Sequence, residues 1–338
     1  MVLLKEQLKV FLDRYAQRDA LVAPVSEEGA VAYRRVKSAE EVTVDFDLPT
    51  LPPKAHFLPQ TEELYRYAYG EGGMELNPPP PAAQTLLFGA RPCDVRGITA
   101  LDFVFAGRFG DAYWSDKREK TTIAGLSCRR VLPGCFCRAY GYGPTSGEGA
   151  DLMLTNLGDR YVVEFLTAKG EAVLNAHRDL FGPAGAGDLE EKENRTANLA
   201  RQFYREVDLR GVREKMDGLF ASPYWERLAR KCIGCGICTY LCPTCHCFDI
   251  VDEPAGPGGG RRLRCWDSCM FADFTLHTSG HNPRPGKKER VRNRFMHKLK
   301  YHYDRYGLDG CVGCGRCVAM CPANIDITRV IADVKEVG

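Results

Sequence analysis

Two short segments carry the chemistry of this chain: "CIGCGICTYLCP" at 232–243 and "CVGCGRCVAMCP" at 311–322. Each is C-x2-C-x2-C-x3-C-P, and seven of the twelve positions agree between them, all Cys, Gly or Pro. Three thiolates at two-residue gaps wrap a loop around one iron–sulfide cube. A fourth, three residues on, is carried away from that cube. The glycines Gly234, Gly236, Gly313 and Gly315 let such a loop bend tightly and aim backbone N–H groups at sulfur.

In chains with two such runs the fourth cysteine serves the other cube. That rule assigns Cys232, Cys235, Cys238 and Cys321 to one [4Fe–4S] cluster, and Cys311, Cys314, Cys317 and Cys242 to a second. Structural zinc is the alternative, but zinc sites pair two separate C-x2-C knuckles and do not run four cysteines into a proline. A cube saturated by four cysteines has no open position for substrate. These residues therefore imply electron transfer, and no catalytic residue is assigned; the chain alone is expected to be non-catalytic.

Eight further cysteines complete the sixteen. Cys93 follows the apolar segment "TLLFGA", Cys128 ends "TTIAGLS", and Cys135 and Cys137 sit in "GCFC". Cysteines at the ends of neighbouring parallel strands would face one crevice, so these four allow an additional cluster; a zinc site and metal-free buried thiols are the other readings. Cys245, Cys247, Cys265 and Cys269 also number four. They read equally as a metal site or as thiols packed around the cubes, with His246 among them as a structural histidine.

The elements that must position these residues divide the chain in two. Residues 1–190 read as a mixed α/β domain: an opening helix, β-rich pieces at 29–36 and 41–46, a buried strand at 85–94 running into a turn, and a helix at 95–105. A second buried strand follows at 120–128, and a strand pair at 151–167. The Gly-rich segment 182–195 is the expected boundary. Residues 191–338 read as a largely helical dicluster ferredoxin-like domain, with residues 244–310 inserted between the two motifs. The insertion holds a Gly-rich turn, "EPAGPGGGRR", and a basic stretch from 284 to 305 with nine Lys or Arg against two acids. Helical spacing puts Val291, Phe295 and Leu299 of that stretch on the core and the cations in solvent, with an acidic partner, compensation of anionic clusters or nucleic acid as other roles. The overall class is α+β.

Composition excludes several functions. The net charge is +2, too small to select nucleic acid or anionic membrane. Mean hydropathy is −0.30 and no apolar stretch reaches a membrane span. The N-terminus has no signal-peptide pattern, so a cytoplasmic location is expected, where thiols stay reduced unless a metal takes them. There is no P-loop, and no G-x-G-x-x-G opens a helix after a strand.

"FGARPCDVRGITALDFVF", "CIGCGICTYLCPTCHCFDIVDE", "WDSCMFADFTLHTSGHNPRP" and "KKERVRNRFMHKLKYHYDRYGLDGCVGCGRC" together resemble the dicluster iron–sulfur subunits of two related systems. One is the β subunit of cytoplasmic NAD(P)-linked [NiFe] hydrogenases, the sulfhydrogenases; the other is the corresponding iron–sulfur subunit of anaerobic sulfite reductase. The resemblance spans roughly residues 56 to 332. It implies two [4Fe–4S] clusters on the eight motif cysteines and adds weight to a third on Cys93, Cys128, Cys135 and Cys137. It also implies relay of electrons between a flavin subunit, with FAD and a [2Fe–2S] cluster, that oxidises NAD(P)H and the rest of the complex. The terminal partner would be a [NiFe] hydrogenase module or a sirohaem sulfite reductase.

Overall fold

The computed structural model describes residues 1–107, 109–256 and 258–337. Eleven strands are found among them: β1 (Val2–Leu4), β2 (Ala20–Glu27), β3 (Ala30–Val36), β4 (Thr61–Gly70), β5 (Gly73–Asn77), β6 (Thr85–Ala90), β7 (Thr121–Leu126), β8 (Leu152–Asn156), β9 (Arg160–Phe165), β10 (Phe248–Pro254) and β11 (Gly259–Trp266).

Seven strands form one sheet in the order β1-β9-β8-β7-β6-β2-β3. Its centre, β2, β6, β7 and β8, is parallel; β1, β3 and β9 join antiparallel at the edges. The continuous apolar segments "TLLFGA" and "TTIAGL" are the signature of strands buried on both faces, and Leu86, Leu87, Phe88, Ile123 and Ala124 are fully buried. The opening helix, Lys5–Arg18, covers one face with Leu8, Phe11 and Leu12. The helix Pro92–Phe105 covers the other with Val95, Ile98, Leu101 and Phe105. It starts three residues earlier than the 95–105 expected, because proline at the first helical position costs no hydrogen bond. The turn read at 91–94 is thus its first turn.

Residues 41–46, expected as β-rich, are not a strand: a 3-10 turn occupies Ala39–Glu41 and irregular chain follows. Just before this segment, the N–H groups of Lys37 and Ser38 donate to Glu41 and that of Ala39 to Asp13, and within it Val42 N–H donates to the Ala39 carbonyl and Thr43 N–H to the Pro24 carbonyl.

A second, antiparallel sheet runs β10-β11-β4-β5. Strands β10 and β11 lie in the insertion, where only a turn and a basic helix were expected; Pro257 of that Gly-rich turn is outside the described residues. Gly260 is packed against Tyr67 and the Glu253 carbonyl, so closely that a Cβ would meet them at 2.5 and 2.6 Å. The insertion hairpin thus pairs with residues 61–77, and the sheet joins chain from either side of the 182–195 segment. The C-terminal part is otherwise helical, with helices Tyr224–Lys231, Lys287–Met296 and Ile327–Val337 packed through Trp225, Val291, Phe295, Val330 and Ile331. The basic helix continues through a π-helical segment, His297–Tyr301, into His302–Tyr306. Among the described residues no helix is long and apolar enough to cross a membrane.

Candidate metal centres

The two cysteine repeats fold alike. In each, two glycines adopt left-handed backbone: Gly234 and Gly236 at φ +73° and +74°, Gly313 and Gly315 at +61° and +77°. A one-turn helix follows, Ile237–Tyr240 or Arg316–Ala319. The reversal points amides at sulfur: Gly234 N–H donates to Cys232 Sγ at 3.4 Å and Gly313 N–H to Cys311 Sγ at 3.5 Å. Ile325 N–H donates to Cys321 Sγ at 3.3 Å.

Cys232, Cys235 and Cys238 of the first repeat line one apolar cavity together with Cys321 of the second, and Cys317 of the second repeat also reaches its wall. Its walls include Ile237, Met270, Phe295 and Ile327. Burial raises the Cys238 thiol, which faces Cys232, Cys235 and Cys321. In the complementary set, burial raises Cys311 and Cys317 and pushes Cys314 up to about 12, and each of the three faces Cys242. Cys242 itself is held well below the ordinary thiol range by a hydrogen bond from Cys245, with Lys298 and Arg294 adding to it.

A second cysteine-lined cavity lies at the end of the parallel sheet. Cys93 enters it from the first turn of the helix after β6, Cys128 from just beyond β7, and Cys135 and Cys137 from the loop that follows. Burial raises all four thiols, Cys128 to about 11. Arg91, 2% exposed, ties this end of the sheet together: its guanidinium donates to the carbonyls of Phe46, Asp47, Leu126 and Ser127.

This cavity abuts the second repeat. Cys314 lines it, Cys135 Sγ sits 3.7 Å from the Cys314 carbonyl, and Phe136 N–H donates to the Gly313 carbonyl at 2.8 Å. Arg316 crosses the same junction in a buried two-pronged ion pair with Asp94, at 2.6 and 3.1 Å, and donates to the Pro49 carbonyl at 2.8 Å.

The remaining four cysteines line neither of these two cavities. All four are free thiols: Cys245 is hydrogen-bonded to the Cys242 thiol, and Cys247 to that of Cys269. Cys265 lies in β11 opposite Asp249 and Thr61. His246 Nδ1 lies 3.2 Å from the Thr244 carbonyl, and burial lowers its pKa to about 4. Among the described residues, no three His, Cys, Asp or Glu side chains close in as ligands of one ion. Four thiolates on one zinc stand about 3.8 Å apart; cysteines lining a cavity around a cube stand farther apart.

The basic helix also differs from a solvated charged face. Val291, Phe295 and Leu299 are buried as expected, but so are Arg294 and Lys298, at 5% and 3% exposure. Positions 291, 294, 295, 298 and 299 form one helical stripe. Two cations on an apolar stripe were the signal available in the sequence. Lys54, 3% exposed, is another buried cation; it donates to the Cys245 carbonyl at 2.8 Å.

Comparison with known proteins agrees with this geometry. A 4Fe-4S dicluster domain matches residues 231–325. The chain is 30% identical over 333 residues to "Sulfhydrogenase 2 subunit beta" of Pyrococcus furiosus, covering 98% of this chain and 97% of that one. The likeness therefore extends through the first fifty residues, beyond the span expected from sequence motifs. No solved structure matches the chain.

Proposed function

We propose, since the chain belongs to the sulfhydrogenase beta-subunit family, that it is the iron–sulfur electron-transfer subunit of a cytoplasmic hydrogenase complex. Cys232, Cys235, Cys238 and Cys321 hold one [4Fe–4S] cluster, Cys311, Cys314, Cys317 and Cys242 a second, and Cys93, Cys128, Cys135 and Cys137 a third. When bound, such clusters each accept and release one electron. The fold of residues 231–325 is that of a two-cluster ferredoxin with a hairpin-bearing insertion.

The observation that carries this reading is the cavity in which three cysteines of the first repeat meet the fourth of the second. Crosswise sharing brings Cys321 to the first-repeat triplet in this way. The chain's own residues then have defined tasks. The left-handed glycines turn amides toward sulfur, which stabilises the more negative state. The apolar walls exclude water. Gly313, Gly315 and Arg316 hold the N-terminal cysteine loop against the second repeat, so the three sites follow one another: N-terminal pocket, second-repeat set, first-repeat set.

The two ends of that series differ. Ile233 is 66% exposed and Cys235 is exposed beside it, which opens the first-repeat site to a neighbour. We assign the outer partners as a flavin subunit with FAD and a [2Fe–2S] cluster that oxidises NAD(P)H, and a [NiFe] hydrogenase module. The relative's name favours the hydrogenase over a sirohaem sulfite reductase.

Anaerobic reconstitution tests the reading. Iron and acid-labile sulfide should each reach roughly twelve atoms per chain, four for each cube, with reducible visible absorption. A preparation that binds zinc alone, colourless, would refute it.

A further inference from the structure

Arg294 is a cation without a counter-ion. Its side chain is 5% exposed, makes no ion pair with any carboxylate among the described residues, and leaves Nη1 buried without a hydrogen-bond partner. An unpaired buried guanidinium costs several kcal/mol, so its surroundings must supply negative charge. Those surroundings are cysteines of both sets. Arg294 lines the first cavity with Cys238, Cys321 and Cys317, and its charge is felt at Cys238 of the first set and at Cys317 and Cys242 of the second.

Lys298, one turn further along the same helix, is equally buried and, among the described residues, equally free of carboxylates. It faces one set only. Its Nζ donates to Thr244 Oγ1 at 2.7 Å, and that hydroxyl lies 3.2 Å from Cys242 Sγ. The cysteines around it include Cys242, Cys245, Cys247 and Cys311, none of them from the first set. Lys298 lies in the π-helical segment His297–Tyr301, and such insertions are frequent at functional sites.

We propose that Arg294 and Lys298 are the residues that set the reduction potentials of the two ferredoxin-type clusters, Arg294 acting on both and Lys298 on the second alone. The inference rests on the cluster assignment of the preceding section. Reduction adds negative charge to a site that is already anionic, and a fixed cation nearby favours the added electron. Buried cations act at full strength here because little water screens them. Arg294, placed between the sets, thereby lessens the penalty that an electron on one site imposes on the next. Both are positioning residues: neither ligates, and neither is expected to change how many clusters bind.

The test is an EPR-monitored redox titration of the full reconstituted chain. Arg294→Gln should lower the midpoint potentials of both clusters, and Arg294→Lys should restore much of the fall because it keeps the charge. Lys298→Gln should lower only the second cluster's midpoint. The Cys321→Ser variant, which removes a ligand of the first cluster, identifies which signal is which. Fully loaded Arg294→Gln protein with both midpoints at their original values would overturn the inference, as would Lys298→Gln moving both clusters equally. If Arg294→Gln fails to load iron, Arg294→Lys and Lys298→Gln decide by the same criteria. Iron missing from the unaltered chain would instead defeat the cluster assignment.

Discussion

Gly315 offers the sharpest test of how the N-terminal pocket is held. An alanine Cβ there would lie 2.4 Å from the carbonyl carbon and oxygen of Gly134 and 2.9 Å from the Cys135 nitrogen. Ordinary contact begins at 3.4 Å, so 3.4 − 2.4 means the two backbones must part by about 1 Å. Neither partner is a side chain that can swing aside. The backbone at φ +77° adds left-handed strain of about 1–2 kcal/mol, and overpacking adds about 1–3 kcal/mol. Gly315→Ala should therefore cost about 2–5 kcal/mol, seen as a fall of roughly 4–10 °C in melting temperature. Because the displaced loop carries Cys135 and Cys137, iron should also drop by roughly four atoms per chain. Gly236→Ala is the control: it has the same strain, but its nearest neighbour is the Phe271 ring at 2.9 Å, which can rotate. It should cost about 1–2 kcal/mol and keep its iron. Thermal melting and iron analysis of the two variants decide the matter. A Gly315→Ala protein that melts with the unaltered chain and holds all its iron would refute the reasoning.

Three further outcomes are expected. Cys321→Ser should remove the first-repeat cluster's signal, whereas Cys265→Ser should leave iron content unchanged; equal losses in both would contradict the ligand assignment. Asp94→Asn should destabilise by about 3–5 kcal/mol by leaving Arg316 buried and unpaired. The double variant Asp94→Leu/Arg316→Met should recover much of that loss in a melting comparison, and strict additivity would sink the idea. His56, whose Nε2 is 3.0 Å from Thr121 Oγ1, has its pKa lowered by burial to about 4. Since the folded pKa is the depressed one, the unfolded chain takes the proton first. Stability is full above about pH 6.5 and is lost as pH falls toward 4, by about 2–3 kcal/mol. A His56→Asn variant should lack that part of the acid limb, and identical pH–stability curves would count against it.

Much of the candidate site was legible because its chemistry is local. The spacing C-x2-C-x2-C-x3-C-P fixes loop curvature within a dozen residues, and the doubling of that spacing is what predicts an exchange of Cys242 and Cys321. The strands β6 and β7 were equally readable, since a parallel strand buried on both faces leaves an unbroken apolar segment. The basic stretch deceived for the opposite reason. Its charge count suggests solvent, and only the position of Arg294 and Lys298 on the stripe of Val291, Phe295 and Leu299 indicates burial. The hairpin β10–β11 was missed because its outward faces are charged, with Arg261 and Arg262 paired to Glu253 and Asp252; its partner strand β4 lies nearly two hundred residues away. Pairings of that range leave no periodic trace in either segment.

The crosswise placement of Cys321 has a consequence for biogenesis. A ribosome that has produced residues 232–242 has made only three of the five thiols that line the first cavity; Cys317 and Cys321 are synthesised some eighty residues later. The N-terminal pocket likewise waits for Gly313 and Gly315 to back its loop. Loading of iron must therefore come after translation has passed residue 321. Until then the nascent polypeptide carries open thiol clefts that oxidants or stray zinc can reach, and delivery machinery has to find a nearly finished chain.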